Sequence, residues 1–225
     1  AKKVMRVKSE YSQVWATKQY PGNPIIDKNK QLLKWKNGGV EVSGWTEKRV
    51  HLMMISQVLD HLKPSSVLEI GSGNGAMLMM LSVMHPEIEF QGIELTDIGV
   101  SEAKKMQNKA SLPQGMLDFL PKQEKDSTAY KRVSFQTGNA AQLPFENDSV
   151  DLILTSLALE QMNQIKEQVL TEVSRVSSKH TLMIEPFPDF NTHPIQRYYT
   201  LARDYFSVPV DDLPKYGLQP AFVFS

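Results

Sequence analysis

The chain has 225 residues, with 25 Lys and Arg against 25 Asp and Glu, so its formal net charge is zero. That balance leaves no overall electrostatic footprint for nucleic acid, and charged residues interrupt every apolar run before it reaches the length of a membrane span. The absence of cysteine excludes a disulfide framework, Cys-ligated zinc and a thiol nucleophile.

Residues 1–44 read as a separate segment, and 45–225 as one α/β domain of ordinary size. The first segment is basic, with Lys2, Lys3, Arg6, Lys8, Lys18, Lys28, Lys30, Lys34 and Lys36 against Glu10 and Asp27. No apolar signal core follows its first lysines, so a secretory leader is not expected. Such a run serves either as a solvated arm or as a surface that attracts an anionic substrate. Pro21 to Pro24 and Asn37 to Gly39 punctuate it. It also carries Tyr11, Trp15, Tyr20 and Trp35, aromatics that are costly to leave clustered in water.

From Thr46 onward, helix and strand patterns alternate. Thr46 is an N-cap candidate, and Val50, Met53, Met54, Val58 and Leu62 recur at helical spacing up to Pro64. Ser66 to Ile70 reads as a buried strand and Gly75 to Met84 as a helix stopped by His85-Pro86. A second strand is expected at Ile88 to Leu95 and a second helix at Asp97 to Ala110. The polar stretch from Leu112 to Lys131 reads as an inserted loop. Strands at Val133 to Thr137 and Val150 to Ser156, an amphipathic helix at Gln161 to Val176 and a fifth strand at His180 to Phe187 follow. Strands separated by helices imply crossovers and a doubly wound, mostly parallel sheet. Ligands in such sheets sit beyond the carboxyl ends of the strands.

The sharpest signal is Val67-Leu68-Glu69-Ile70-Gly71-Ser72-Gly73-Asn74-Gly75, a strand running into a glycine turn that opens a helix. Glycines there permit positive φ and let a ligand approach the backbone. Gly71, Gly73 and Ala76 also satisfy the dinucleotide fingerprint, and Glu94 at the next strand end could accept from the ribose of either kind of cofactor. Two features separate the readings. Glu69 is a carboxylate inside an apolar strand, unwelcome without a partner. It is ill placed beside a pyrophosphate and suits a cationic ligand. The second feature is Gly138-Asn139-Ala140-Ala141-Gln142-Leu143-Pro144-Phe145, followed by the strand at Val150.

These pieces, over about Val50 to Phe187, resemble the class I (Rossmann-like) S-adenosylmethionine-dependent methyltransferases of the small-molecule type. The resemblance implies S-adenosylmethionine as cofactor, held by Glu69, Gly71, Ser72, Gly73, Gly75, Glu94 and Leu95. It implies Asn139 and Ala140 at the adenine edge, and Ser156 and Leu157 toward the methyl group. The family more often has Asp where this chain has Asn139, whose carbonyl can still accept from the adenine amine. The usual antiparallel pair at the sheet's end is reduced to a helix candidate at Pro194 to Phe206 and a strand candidate at Ala221 to Ser225. An unpaired edge invites a second copy, so a homodimer enters as an expectation.

The activated methyl group needs chiefly an aimed acceptor and excluded water. Candidates for a base are Glu185, His193, Tyr11, Tyr20 and Glu160. The histidines show no metal-ligand spacing, and the methionines around Met77 to Met84 read as core filler. The expected acceptor is a small molecule, methylated on O, N or C, in a cytoplasmic protein that needs neither nucleic acid nor membrane. The alternatives are an RNA or protein methyltransferase using the basic arm, and a non-catalytic cofactor-binding module. Residues 1–44 are expected to form a lid over the acceptor.

Overall fold

A computed structural model of the chain describes residues 8–13, 30–35, 38–43, 46–190 and 206–223. Residues 8–13 are helical. Strands β1 (Lys30–Trp35) and β2 (Gly38–Ser43) form an antiparallel pair in which Trp35 lies opposite Gly38. The domain proper begins with helix α1 (Thr46–Leu62) and strand β3 (Ser66–Ile70). It continues through α2 (Ala76–Met84), β4 (Glu89–Glu94), α3 (Asp97–Gln107), the single turn α4 (Gln114–Leu117) and β5 (Ser134–Thr137). Strand β6 (Val150–Ser156), helix α5 (Lys166–Val176) and strand β7 (Ser177–Ile184) complete it.

The five strands β3 to β7 form one parallel sheet in the order β5-β4-β3-β6-β7. The chain runs outward from β3 through β4 to β5, then returns to pair β6 with β3. The switch point therefore lies between β3 and β6, where an open α/β sheet leaves a crevice.

Side chains alternate between the two faces of the sheet. Val67, Phe90, Phe135, Leu152 and Leu154 pack with Leu52, Ile55 and Leu59 of α1, with α2, and with Val100, Ala103 and Met106 of α3. Leu68, Ile70, Ile93 and Ile153 face the other way, against Val169, Leu170, Val173 and Val176 of α5 and the later residues Phe206, Val208 and Leu213. Each face is covered, as a parallel sheet requires. Met79, Met80 and Met84 are core residues of the first layer. No described helix is long and apolar enough to cross a membrane.

Several elements differ from the expectation. Helix α1 has the expected bounds but a different buried face: Leu52, Ile55 and Leu59 are inside, while Val50 and Met53 remain 44% and 42% exposed. The stretch 112–131 is no free loop, because Leu112, Met116, Ala129 and Tyr130 are buried in the core. The helix expected from Gln161 starts at Lys166, after 3₁₀ turns at Leu159–Gln161 and Asn163–Ile165. Strand β7 starts three residues earlier than expected and ends at Ile184, leaving Glu185 just beyond it. Helix α3 stops at Gln107. The expected strand at Ala221 to Ser225 is not formed over Ala221 to Val223, and its last two residues lie outside the described ones. So does nearly all of the expected helix at Pro194 to Phe206.

Candidate functional site

The turn from β3 to α2 is held open by three left-handed glycines: Gly71, Gly73 and Gly75 have φ of 77°, 55° and 72°. A side chain is strained in that region. Space is short as well. A Cβ on Gly71 would stand 2.7 Å from that of Ala158, and one on Gly75 would stand 2.4 Å from the Phe135 ring. The turn hugs the neighbouring strand, with the N–H groups of Gly71 and Ser72 donating to the Ile93 carbonyl at 2.9 and 3.1 Å.

Glu94 closes β4 and braces this turn. One carboxylate oxygen accepts from Gly73 N–H at 3.1 Å, and the other from the N–H and hydroxyl of Thr96 at 2.9 and 2.7 Å. A carboxylate offers about four acceptor sites, so one remains, on the oxygen that faces Gly73. Thr96 in turn caps α3 by accepting from Gly99 N–H at 3.2 Å. Gly99 is needed there, since a Cβ would meet Glu94 Cγ at 2.8 Å and the Gly73 carbonyl at 2.9 Å. Sequence reasoning missed Thr96 and Gly99 as supports, although Thr96-Asp97 before a helical pattern is a readable N-cap signal.

Glu69 is 5% exposed, and its Oε2 is buried without a hydrogen-bond partner. Burial pushes its pKa up to about 8; Lys48 opposes the shift and Glu94 adds to it. A buried carboxyl group with one oxygen unpartnered, next to a glycine turn, fits a ligand that brings positive charge to it.

The remaining candidates fall along the same sheet edge. Gly138 N–H donates to the Glu94 carbonyl at 2.9 Å, which docks the loop after β5 beside the β4 end. In that loop Ala140 is buried, whereas Asn139 is exposed and its Oδ1 accepts from Ala141 N–H at 3.0 Å. Leu95 is half-buried. Past β6, Ser156 is followed by Leu157, a non-glycine residue at φ 53°, a conformation seldom adopted without a local constraint. Leu157 N–H donates to the Ile184 carbonyl at 2.9 Å.

Glu185 completes that constraint. Its two oxygens accept from the consecutive N–H groups of Ala158 and Leu159 at 3.1 and 3.2 Å. Burial raises its pKa to about 7, against the lowering effect of those two bonds, with Glu160 raising it further. Glu185, one of the candidate bases, thus clamps the β6 turn. Ala158, so held, is the residue whose Cβ closes over Gly71.

Glu160 is half-buried in the 3₁₀ turn that follows. Tyr11 is half-buried in the helical residues 8–13, and Lys8 of that segment reaches Asp97 of α3 at 3.7 Å. Tyr20 and His193 lie outside the described residues. The structure thus gathers Glu69, Gly71, Ser72, Gly73, Gly75, Glu94, Leu95, Asn139, Ala140, Ser156, Leu157, Glu160 and Glu185 at the carboxyl ends of the strands.

A glycine turn at the switch point of a parallel sheet, flanked by two buried carboxyl groups, defines a Rossmann-like protein built for an adenosine-bearing cofactor. Residues 61–189 match the family model of the methyltransferase domain. That is more than half of the chain, and the chain belongs to this family of class I methyltransferases, whose cofactor is S-adenosylmethionine.

Among solved structures, the magnesium protoporphyrin IX methyltransferase of Synechocystis PCC 6803, determined with bound S-adenosylhomocysteine, aligns at 13% identity and TM-score 0.52. The alignment covers 76% of this chain and 71% of that one. The [4+2]-cyclase SpnF aligns at 15% identity and TM-score 0.50, over 77% and 56% of the two chains. A SAM-dependent methyltransferase from Methanosarcina mazei aligns at 21% identity and TM-score 0.39; 50% of this chain is covered, and 47% of the relative. At their identities, the likeness to the first two is one of fold alone. The comparison with curated proteins gave no match.

Proposed function

We propose that the chain binds S-adenosylmethionine across the carboxyl ends of β3, β4 and β5 and transfers its methyl group to an O, N or C atom of a small molecule. The observation that carries this is the Glu69 carboxyl group, buried near the end of β3 with its Oε2 unpartnered, two residues before the first of three left-handed glycines. The ammonium and sulfonium of S-adenosylmethionine would favour the ionised carboxylate and give Oε2 a partner, which a dinucleotide pyrophosphate could not do.

The glycine turn would pass beneath the methionyl and ribose portions. Glu94 would use its one remaining acceptor site for a ribose hydroxyl, and residues 138–145 would line the adenine. S-adenosylmethionine, when bound, would supply a methyl group already activated by its sulfonium. The protein's task is then alignment and exclusion of water. Ser156 and the clamped turn at Leu157 to Leu159 face that step from β6. Residues 1–44 form the lid in this reading, supported by the reach of Lys8 to Asp97 at the same sheet edge. The near-neutral charge favours a small acceptor over RNA.

Calorimetric titration with S-adenosylhomocysteine tests the reading. The natural chain should bind it, and Gly73→Val should not while keeping its fold, because a β-branched side chain at φ 55° fills the turn. Equal affinity in the two proteins would remove the turn from the site.

A further inference from the structure

The loop expected at the adenine is held from behind by a pair of side chains that does not belong to the site. Arg175, near the end of α5, spends all five of its N–H donors. Nε and Nη2 donate to the two oxygens of Glu172 at 2.7 and 2.8 Å. Nη2 also reaches the Leu143 carbonyl at 3.1 Å, and Nη1 reaches the Phe145 carbonyl at 2.7 Å and Asn147 Oδ1 at 3.0 Å. Glu172 returns a bond to the same loop, accepting from Leu143 N–H at 2.7 Å. The Arg175 carbonyl accepts from Asp148 N–H at 2.8 Å, just where Asp148 turns left-handed at φ 51° to enter β6. Both side chains are mostly buried, 28% and 17% exposed.

At its other end the loop hangs on the bond from Gly138 N–H to the Glu94 carbonyl. Between these anchors Ala140 and Leu143 are packed into the α5 face of the sheet. The position of Asn139 and Ala140 along the sheet edge is therefore set by two fixtures, one of which is the guanidinium fork. A fork of five planar donors is a geometry that lysine cannot reproduce.

We propose that Arg175, seated by Glu172, is the positioning residue for base recognition: it fixes the loop 138–145 so that the chain distinguishes adenine from other purines. The inference rests on reading that loop as the adenine side. It predicts an effect on selectivity, whereas a merely structural residue would weaken all ligands alike.

The test compares S-adenosylhomocysteine with S-inosylhomocysteine, which carries a carbonyl in place of the adenine amine, by calorimetry on the whole chain. The natural chain should prefer the adenine compound by about tenfold or more, the worth of one good hydrogen bond. In Arg175→Lys that preference should shrink to about twofold or less, with S-adenosylhomocysteine losing most of the difference. Glu172→Gln, a milder change that keeps an acceptor, should move the ratio the same way and serves if Arg175→Lys does not fold. An undiminished ratio in the folded variants overturns the proposal, and so does a natural chain that binds both compounds equally. A natural chain that binds neither overturns the methyltransferase reading itself, and this inference with it.

Discussion

Glu94 accepts a hydrogen bond from the N–H of Gly73 at 3.1 Å, so the carboxylate that ends one strand holds the turn that ends its neighbour. Its substitution therefore does two things at once. Glu94→Ala should lower affinity for S-adenosylhomocysteine by about 3 kcal/mol, since it removes a charged acceptor and releases the glycine turn. Glu94→Gln keeps one acceptor oxygen and should lose less. If both variants bind as the natural chain does in calorimetry, the ribose assignment fails.

Glu69 gives a stability prediction with a definite sign. Burial pushes its carboxyl from the ordinary 4.5 up to about 8 in the folded chain. The folded state holds the proton longer, so this group's contribution is full below about 4.5 and is lost as pH rises through 8. Glu69→Gln should stabilise the ligand-free protein above neutrality, by an amount on the order of a few kcal/mol. It should also weaken S-adenosylhomocysteine binding. Thermal melts of both proteins from pH 5 to 8.5 read the first effect. Parallel curves would mean that Glu69 is ionised in the ligand-free fold.

His85 works in the opposite direction. It is fully buried, its Nε2 lies 3.0 Å from Ser56 Oγ, and burial lowers its pKa to about 4, with Lys122 adding to the effect. The unfolded chain takes up the proton near 6.5, so stability from this group is present above 6.5 and is lost as pH falls toward 4. Chemical denaturation of His85→Gln should show a flatter acid limb than the natural chain. An unchanged limb would assign acid unfolding to other groups.

Ala158 and Gly71 should be coupled. Gly71→Ala suffers both from φ 77° and from the Ala158 methyl 2.7 Å away, and Glu185 holds Ala158 in place. Ala158→Gly should therefore recover part of the stability lost in Gly71→Ala, by about 0.5–1 kcal/mol of interaction energy in a double-mutant cycle. Strict additivity would mean that the two turns do not press on each other. Glu185→Ala should loosen the same contact and reduce cofactor affinity without abolishing folding.

How far the sequence could be read depends on which residues carry local signals. Strand β3 and the glycine turn were legible because an apolar run ends at three alternating glycines. Helix α1 was legible in extent and misread in face. Apolar residues occupy both sides of it, so spacing alone could not choose Leu52, Ile55 and Leu59 over Val50 and Met53. Tyr130 and Met116 look like members of a polar loop because their burial comes from packing between distant elements. Strand β7 opens with Ser177, Ser178 and Lys179, polar residues that carry no strand signal, so the strand was expected only from His180. Glu172 and Arg175 resemble an ordinary solvated pair on an amphipathic helix; only the fold brings residues 143–147 onto them.

The most direct test of the central claim is transfer of label from methyl-labelled S-adenosylmethionine into a fractionated extract of small metabolites, followed by mass spectrometry. The natural chain should place label in a discrete small-molecule product, and Gly73→Val should place none. Binding of S-adenosylmethionine with no labelled product in any fraction would contradict the claim and leave a cofactor-binding module; label in macromolecules alone would contradict the small-molecule acceptor.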